Sequence, residues 1–203
     1  ASGLAISKDN SEKTYDRFRN RLIVPIHDMQ GRVVAFGGRS LDGQEPKYLN
    51  SPESEIFEKG KMMFAFEKAS SNIRKRDKAI IVEGYFDVIS LHSKGITNSV
   101  ASLGTALNKY QISQLCRCTD NKNIILNFDS DNAGILATKR VIKEVESLSL
   151  HDQINLKILQ LKDFKDPDEY LNSHTPEDYF NLVDNSSFWI DWEIDQIFKD
   201  KDL

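Results

Sequence analysis

Six carboxylates fall at three places where an apolar run of this chain stops. In KAIIVEGYFDVISL, residues 78–91, a run rich in isoleucine and valine ends on Glu83, Gly84 allows a sharp turn, and Asp87 follows one helical turn later. LNFDSDNAG sets Asp129 and Asp131 after a second run, and KDPDEYL sets Asp166 and Asp168 after a third. Carboxylates gathered in one pocket repel one another unless they protonate or a cation joins them, and a donor set made only of oxygen favours Mg²⁺ or Mn²⁺. Such an ion, held by carboxylates with water positions left open, most often serves phosphoryl transfer. A Glu beside it could move a proton as general acid or general base. One Asp-x-Asp alone is as well explained by an acidic loop; three acidic motifs at three strand ends are what point to a site.

The elements that must deliver these acids can be read from the pattern. Apolar runs at 79–83, 98–103, 123–128 and 155–161 alternate with helical periodicity at about 85–94, 108–118 and 132–147. The order βαβαβαβ, with crossovers of that length, implies a parallel sheet covered by helices on both faces. Ligands of such sheets sit at the carboxyl ends of the strands, where Glu83, Asp129 with Asp131, and Asp166 with Asp168 are expected to emerge as one cluster.

Before residue 78 the character differs. Residues 1–14 read as a polar lead-in, and TYDRFRNR spaces Arg17, Arg19 and Arg21 so that an extended backbone would project all three to one face. LIVPIHD and RVVAFGGRSL flank a turn at Gly31 and read as a β-hairpin. A loop carrying Lys47, Tyr48 and Asn50 follows, then a helix expected across IFEKGKMMFAFEKASSNIRKR. Residues 1–78 hold 15 Lys and Arg against 11 Asp and Glu, whereas residues 79–203 hold 12 against 20, within a net charge of −4. A basic part before an acidic part suits a polyanion held beside a divalent ion, although a split of this size is also ordinary for solvated surface. After Leu171 the chain is helical and aromatic.

With 203 residues, 39% of them hydrophobic and 29% charged, the chain suits one good core or a main domain with a smaller companion. No run approaches the roughly 20 apolar residues that span a bilayer, so no membrane partner is expected. Cys116 and Cys118 are too close for an ordinary disulfide and lack a second pair for zinc, which is expected to be absent.

Glu83 in EGY, Asp129 and Asp131 in FDSDNAG, and Asp166 with Asp168 in DPDEYL resemble the Toprim signature of primases, topoisomerases, recombination mediators and some nucleases. YDRFRNRLIVPIHD, GRVVAFGGR, PKYLNSP, EIFEKGK, VEGYFDVISL and ASLGTAL, in unbroken order from about Tyr15 to Leu171, narrow this to the RNA-polymerase core of bacterial DnaG-type replicative primases. Where that family usually has Gly between the two aspartates, this chain has Ser130.

The resemblance implies an α/β Toprim domain over residues 78–174, a Rossmann-like parallel sheet, preceded by a smaller basic α+β subdomain within 1–77. Residues 175–203 are then the start of a helical carboxy-terminal segment, and the whole is a core truncated at both ends. It implies short RNA primers made on single-stranded DNA from ribonucleoside triphosphates, with one to three Mg²⁺ or Mn²⁺ ions, in the cytoplasm at the bacterial replisome. The replicative helicase and a zinc-binding domain would be met through regions outside these residues. Glu83 would be the catalytic acid or base and share in metal binding with Asp129, Asp131, Asp166 and Asp168, with Asp87 in support. Arg17, Arg19, Arg39, Lys47, Tyr48, Asn50 and Lys59 would hold template and nucleotide. Gly104 and Gly134 would form turns at strand ends. The competing readings are a Toprim nuclease or topoisomerase fragment, a non-catalytic DNA-binding scaffold, and a metal-free regulatory α/β domain.

Overall fold

A computed structural model describes residues 3–7, 14–148 and 153–199 of the chain. The parallel sheet expected from the alternating pattern is present. Its strands are β6 (Ala79–Val82), β7 (Ser99–Ala101), β8 (Asn123–Leu126) and β9 (Asn155–Ile158), in the order β9-β8-β6-β7. All three neighbouring pairs are parallel, and Ile81 sits opposite both Val100 and Leu126. Between the strands run α2 (Tyr85–Ser93), α3 (Lys109–Cys116) and α4 (Asn132–Glu146), each within about two residues of its periodic stretch.

Side chains alternate across a strand, and here the alternation divides the interior into two cores. Ile80, Val82 and Ile125 point to one face, where they pack with Val88 and Leu91 of α2. Ala79, Ile81, Ile124 and Leu126 point to the other, against Ile112 and Leu115 of α3 and Val141 and Ile142 of α4. Helix α1 (Phe66–Arg76) joins this second core through Phe66, Ala69 and Ile73. The near-continuous apolar character of these strands is thus explained by a sheet buried on both faces.

Ahead of α1 lies a smaller β unit. β1 (Ala5–Ser7) pairs antiparallel with β2 (Thr14–Asp16), so part of the expected lead-in is a strand. β3 (Arg21–His27) and β4 (Val33–Ser40) make the hairpin, with a register shift at Ile26/His27, and β5 (Tyr48–Asn50) adds a third strand. Val24, Ile26 and Ala35 of this unit enter the first core. Three local expectations are corrected. Tyr48 and Asn50 lie on a strand, because Leu49 and Asn50 can pair with Gly38 and Gly37. The backbone bends at residues 17–20, with Asn20 at φ 49°, so Arg17, Arg19 and Arg21 do not share a face. The helix expected from Ile56 begins only at Phe66: Ser54 bridges Phe57, a 3₁₀ turn covers Lys59–Lys61, and Phe64 bridges Ala101 at the edge of β7.

Beyond β9, the short helix α5 (Pro167–Leu171), α6 (Pro176–Asp184), β10 (Ser187–Phe188) and α7 (Trp189–Lys199) complete the described chain. They are built into the same unit as the sheet. β10 extends it antiparallel to β9, Tyr179 and Val183 of α6 are buried in the first core, and Trp192 of α7 is buried in the second.

The Tyr179 hydroxyl donates to Asn127 Oδ1 at 2.7 Å, and the Asn127 amide donates to the Leu159 carbonyl at 3.2 Å. Both side chains are sealed from solvent. Tyr179→Phe leaves the Asn127 oxygen without its donor and is expected to lower stability by about 1–3 kcal/mol. The midpoint of urea unfolding reads this directly; an unchanged midpoint would mean that Asn127 finds another donor.

Candidate active site

Strand order reverses at β6, which pairs with β7 on one side and β8 on the other. The crevice at such a switch point is where a doubly wound sheet takes its ligand. Glu83 leaves the end of β6 and Asp129 follows the end of β8, one on each side of that crevice. The two strand ends lock together, since the Asp129 N–H donates to Glu83 Oε1 at 3.1 Å. Asp87, on the first turn of α2, turns its Oδ2 back to accept the Gly84 N–H at 3.0 Å. Asp166 accepts the Glu169 N–H and so caps α5, leaving Asp168 exposed in its first turn.

Five of the six acids, Glu83, Asp87, Asp129, Asp166 and Asp168, line one cleft of about 530 Å³. The sixth does not. Asp131 is exposed and caps α4 through the Gly134 N–H at 2.9 Å, and so stands outside the cleft lining. A single closed cluster of six is therefore corrected to five acids along a cleft with one at its margin. A capping role was foreseeable, because Asp immediately ahead of a helical stretch is a favoured N-cap.

Electrostatics follows from this crowding. Burial raises Glu83, and the neighbouring Asp129 charge raises it further. Burial likewise pushes Asp87 up to about 7, with Asp166, Asp129 and Asp168 adding to the effect. Asp129 is raised by burial, partly offset by Lys165, whose Nζ lies 3.7 Å from its Oδ2. These are carboxylates short of positive charge.

Their fit to a divalent ion can be judged from the donors. Among the described residues no three His, Cys, Asp or Glu side chains are arranged to enclose an ion. Mg²⁺, however, keeps several waters and takes only one or two carboxylates together with substrate phosphates. An open row of oxygen donors fits that habit, whereas a cage demanding all-protein coordination would not.

A basic wall shares the cleft with the acids. Arg17, Arg39, Lys47, Tyr48, Asn50 and Lys59 line it with the acids. The Arg39 guanidinium lies 4.7 Å from the Phe86 ring centre and 6.0 Å from that of Tyr48, and Lys47 lies 5.6 Å from Tyr48. Tyr48 is 43% exposed, so its ring is available beside two cations. Arg19 is placed elsewhere, over the Tyr15 ring at 5.1 Å and outside the cleft, because of the bend at residues 17–20.

Asn50 has its side chain engaged within the fold. Its Oδ1 accepts from the Tyr85 hydroxyl and its Nδ2 donates to the Leu103 carbonyl at 2.9 Å, while its own carbonyl accepts from Arg17 Nε at 3.2 Å. It ties the small β unit to the ends of β6 and β7. The same contact explains Gly104. With φ +74°, the position has the left-handed backbone that favours glycine, and a Cβ there would stand a tight 3.3 Å from the Asn50 amide. Gly134 meets a harder limit, for a Cβ there would overlap the Asp129 carbonyl oxygen.

Sequence reasoning missed Lys165, Phe86 and Ser102 in the cleft. Lys165 adjoins the DPDE motif, and that position was the one signal available. Ser130 also takes part: its hydroxyl is within reach of the Leu161 and Phe164 carbonyls at 3.2 and 3.4 Å, and its N–H donates to the Lys165 carbonyl at 3.3 Å. It pins the Asp129 loop to the loop carrying Lys165 and Asp166.

The chain is similar to known proteins over its whole length. Residues 1–70 match the family described as DNA primase catalytic core, N-terminal domain, and residues 80–171 match the Toprim-like family. A DNA primase of Synechococcus elongatus is 53% identical over 202 residues, which is all of this chain and 29% of that protein. The crystal structure of a DNA primase domain from Pseudomonas aeruginosa superposes with a TM-score of 0.89 at 36% identity, over 98% of this chain and 61% of that one. A DnaG primase catalytic domain bound to single-stranded DNA gives 0.80 at 35% identity, over 92% of this chain and 59% of that one. The chain spans about three-tenths of the length of the curated relatives it matches.

Proposed function

The chain belongs to the DnaG-type DNA primase family, and on that premise we propose that its cleft joins ribonucleotides into short RNA primers on a single-stranded DNA template. The observation that carries the proposal is the sharing of one cleft: five carboxylates from the segments that follow β6, β8 and β9 line it together with Arg39, Lys47 and Lys59. The match of residues 1–70 to the N-terminal domain of the primase core favours this reading over a Toprim nuclease or topoisomerase. The solved relative bound to single-stranded DNA supports the template.

In the reaction the 3′ hydroxyl of one nucleotide attacks the α-phosphorus of the next, and pyrophosphate leaves. Glu83 takes the hydroxyl proton; burial and the neighbouring Asp129 charge make it a better proton acceptor than a free carboxylate. Asp87 holds the α2 amino terminus against Glu83 through Gly84. Arg39, Lys47 and Lys59 bind phosphates, and Tyr48 stacks on a base. Arg17 braces Asn50, which keeps the basic wall at a fixed distance from the acids. Glu83, Asp129, Asp131, Asp166 and Asp168 would hold one to three Mg²⁺ or Mn²⁺ ions, whose chemistry is to neutralise charge on the reacting phosphate. The replicative helicase and a zinc-binding domain would be met by other parts of a full-length primase.

The direct test is a priming assay with labelled ribonucleotides, single-stranded DNA and Mg²⁺ or Mn²⁺, using this sequence extended to the length of its relatives. Template-dependent RNA of short length is the expected product; cleavage of DNA without RNA synthesis would overturn the reading. A second measurement isolates the basic wall. Replacing Arg39, Lys47 and Lys59 together by Ala is expected to weaken single-stranded DNA binding and to flatten the plot of log affinity against log salt by about 0.7 for each phosphate left without its cation. An unchanged affinity and slope would show those cations to be ordinary surface.

A further inference from the structure

Lys165 is a basic side chain of the cleft lining that pairs with one of the cleft's own acids. Its Nζ lies 3.7 Å from Asp129 Oδ2, while the side chain as a whole is 58% exposed. The backbone beneath it is fixed at both ends: its N–H donates to Glu169 Oε2 at 2.7 Å, and its carbonyl accepts from the Ser130 N–H. A pinned backbone under a free four-carbon stem gives a charge that can move without moving the loop. The pair with Asp129 is long and exposed, hence weak.

We infer that Lys165 is an exchangeable counter-ion: it rests on Asp129 when that carboxylate lacks a metal and turns to the triphosphate of the incoming nucleotide when it has one. The inference rests on the function proposed above and adds a substrate-positioning residue to it. Three observations lead there. Asp129 lines the cleft with its N–H held by Glu83, so its carboxylate is among those a divalent ion entering the cleft would meet. A divalent ion on Asp129 would repel the ammonium beside it, so arrival of one disfavours the other. Lys165 lines the same cleft as Arg39, Lys47 and Lys59, so a displaced ammonium stays within the space where phosphates would lie.

Two affinities are therefore expected to move in opposite directions on Lys165→Met. Mn²⁺ binding without nucleotide should tighten by about threefold, because a weak competing ion pair is gone. Binding of a fluorescent ATP analogue at saturating Mn²⁺ should weaken by about tenfold, because a charge-assisted hydrogen bond to phosphate can no longer form. Lys165→Arg should restore nucleotide binding. A residue that merely supports the loop would lower both affinities, and a surface lysine would leave both unchanged; either result overturns the inference while leaving the proposed function standing. Failure of the parent protein to bind Mn²⁺ or the analogue would overturn the function and this inference with it.

Discussion

Glu83→Gln is expected to reduce primer synthesis at least a hundredfold while leaving the protein as stable as before or more so. The carboxamide oxygen can still accept the Asp129 N–H, so the join between β6 and β8 persists. On the role proposed for Glu83, what is lost is the proton acceptor, and positioned general bases contribute about a hundred- to ten-thousandfold. What is relieved is repulsion, since Asp129 and Asp131 both disfavour a charge on Glu83. Asp129→Asn is expected to behave alike in activity, with less gain in stability because its pairing with Lys165 disappears as well. Ribonucleotide incorporation and thermal unfolding should be measured on the same preparations. Synthesis within about threefold of the parent in either variant would remove that residue from the chemistry, given the size of the general-base effect; loss of activity together with a collapsed melting temperature would reassign it to the fold.

The divergence of activity from stability is the signature to look for, because it follows from how the site is built. Glu83, Asp87 and Asp166 each accept a backbone N–H at a strand end or helix start, so their positions survive the loss of their charge. The charges themselves oppose one another across a half-buried cleft, and the fold tolerates them because their geometry is fixed by the sheet.

The parallel sheet was legible in the sequence because burial on both faces leaves a plain mark, short apolar runs alternating with helical periodicity. Glu83 and Asp129 were legible for the same reason, since each stands just past the end of such a run. What escaped was set by pairings distant in sequence. Nothing in PKYLNSP says that Leu49 and Asn50 pair with Gly38 and Gly37, or that the Asn50 amide is committed to Tyr85 and Leu103. The stretch 56–65 has apolar residues at helical spacing, yet the bridge of Phe64 to Ala101 draws it out as an edge to the sheet. Arg19 was misplaced by a bend with Asn20 in a left-handed conformation, which no local pattern required. Asp131 shows how one residue type serves two ends: the spacing that suggested a metal ligand equally describes a helix cap.

Gly134 joins the fold to the chemistry most tightly, and Gly134→Ala is expected to damage both. Its N–H is bonded to Asp131, and its Cα faces the Asp129 main chain so closely that an added methyl would overlap the carbonyl oxygen and stand 3.0 Å from the nitrogen. The obstacle is backbone, so no side-chain rotation can make room. Either α4 withdraws from the end of β8 or the Asp129 loop is pushed toward the cleft. Overpacking of this kind costs about 1–3 kcal/mol and occasionally more, and a displacement near 1 Å of a reacting group is enough to lose about a hundredfold in rate. The loop cannot move alone, because Ser130 ties it to the Lys165 segment and Glu83 holds the Asp129 N–H, so a shift at Gly134 reaches Glu83, Asp129 and Asp166 together. Urea unfolding should show an earlier midpoint, and priming should fall by far more than the reduced stability explains at temperatures where the variant is folded. If the alanine variant unfolded at the parent's midpoint and primed at the parent's rate, the close approach of α4 to β8 would not be what positions Asp129.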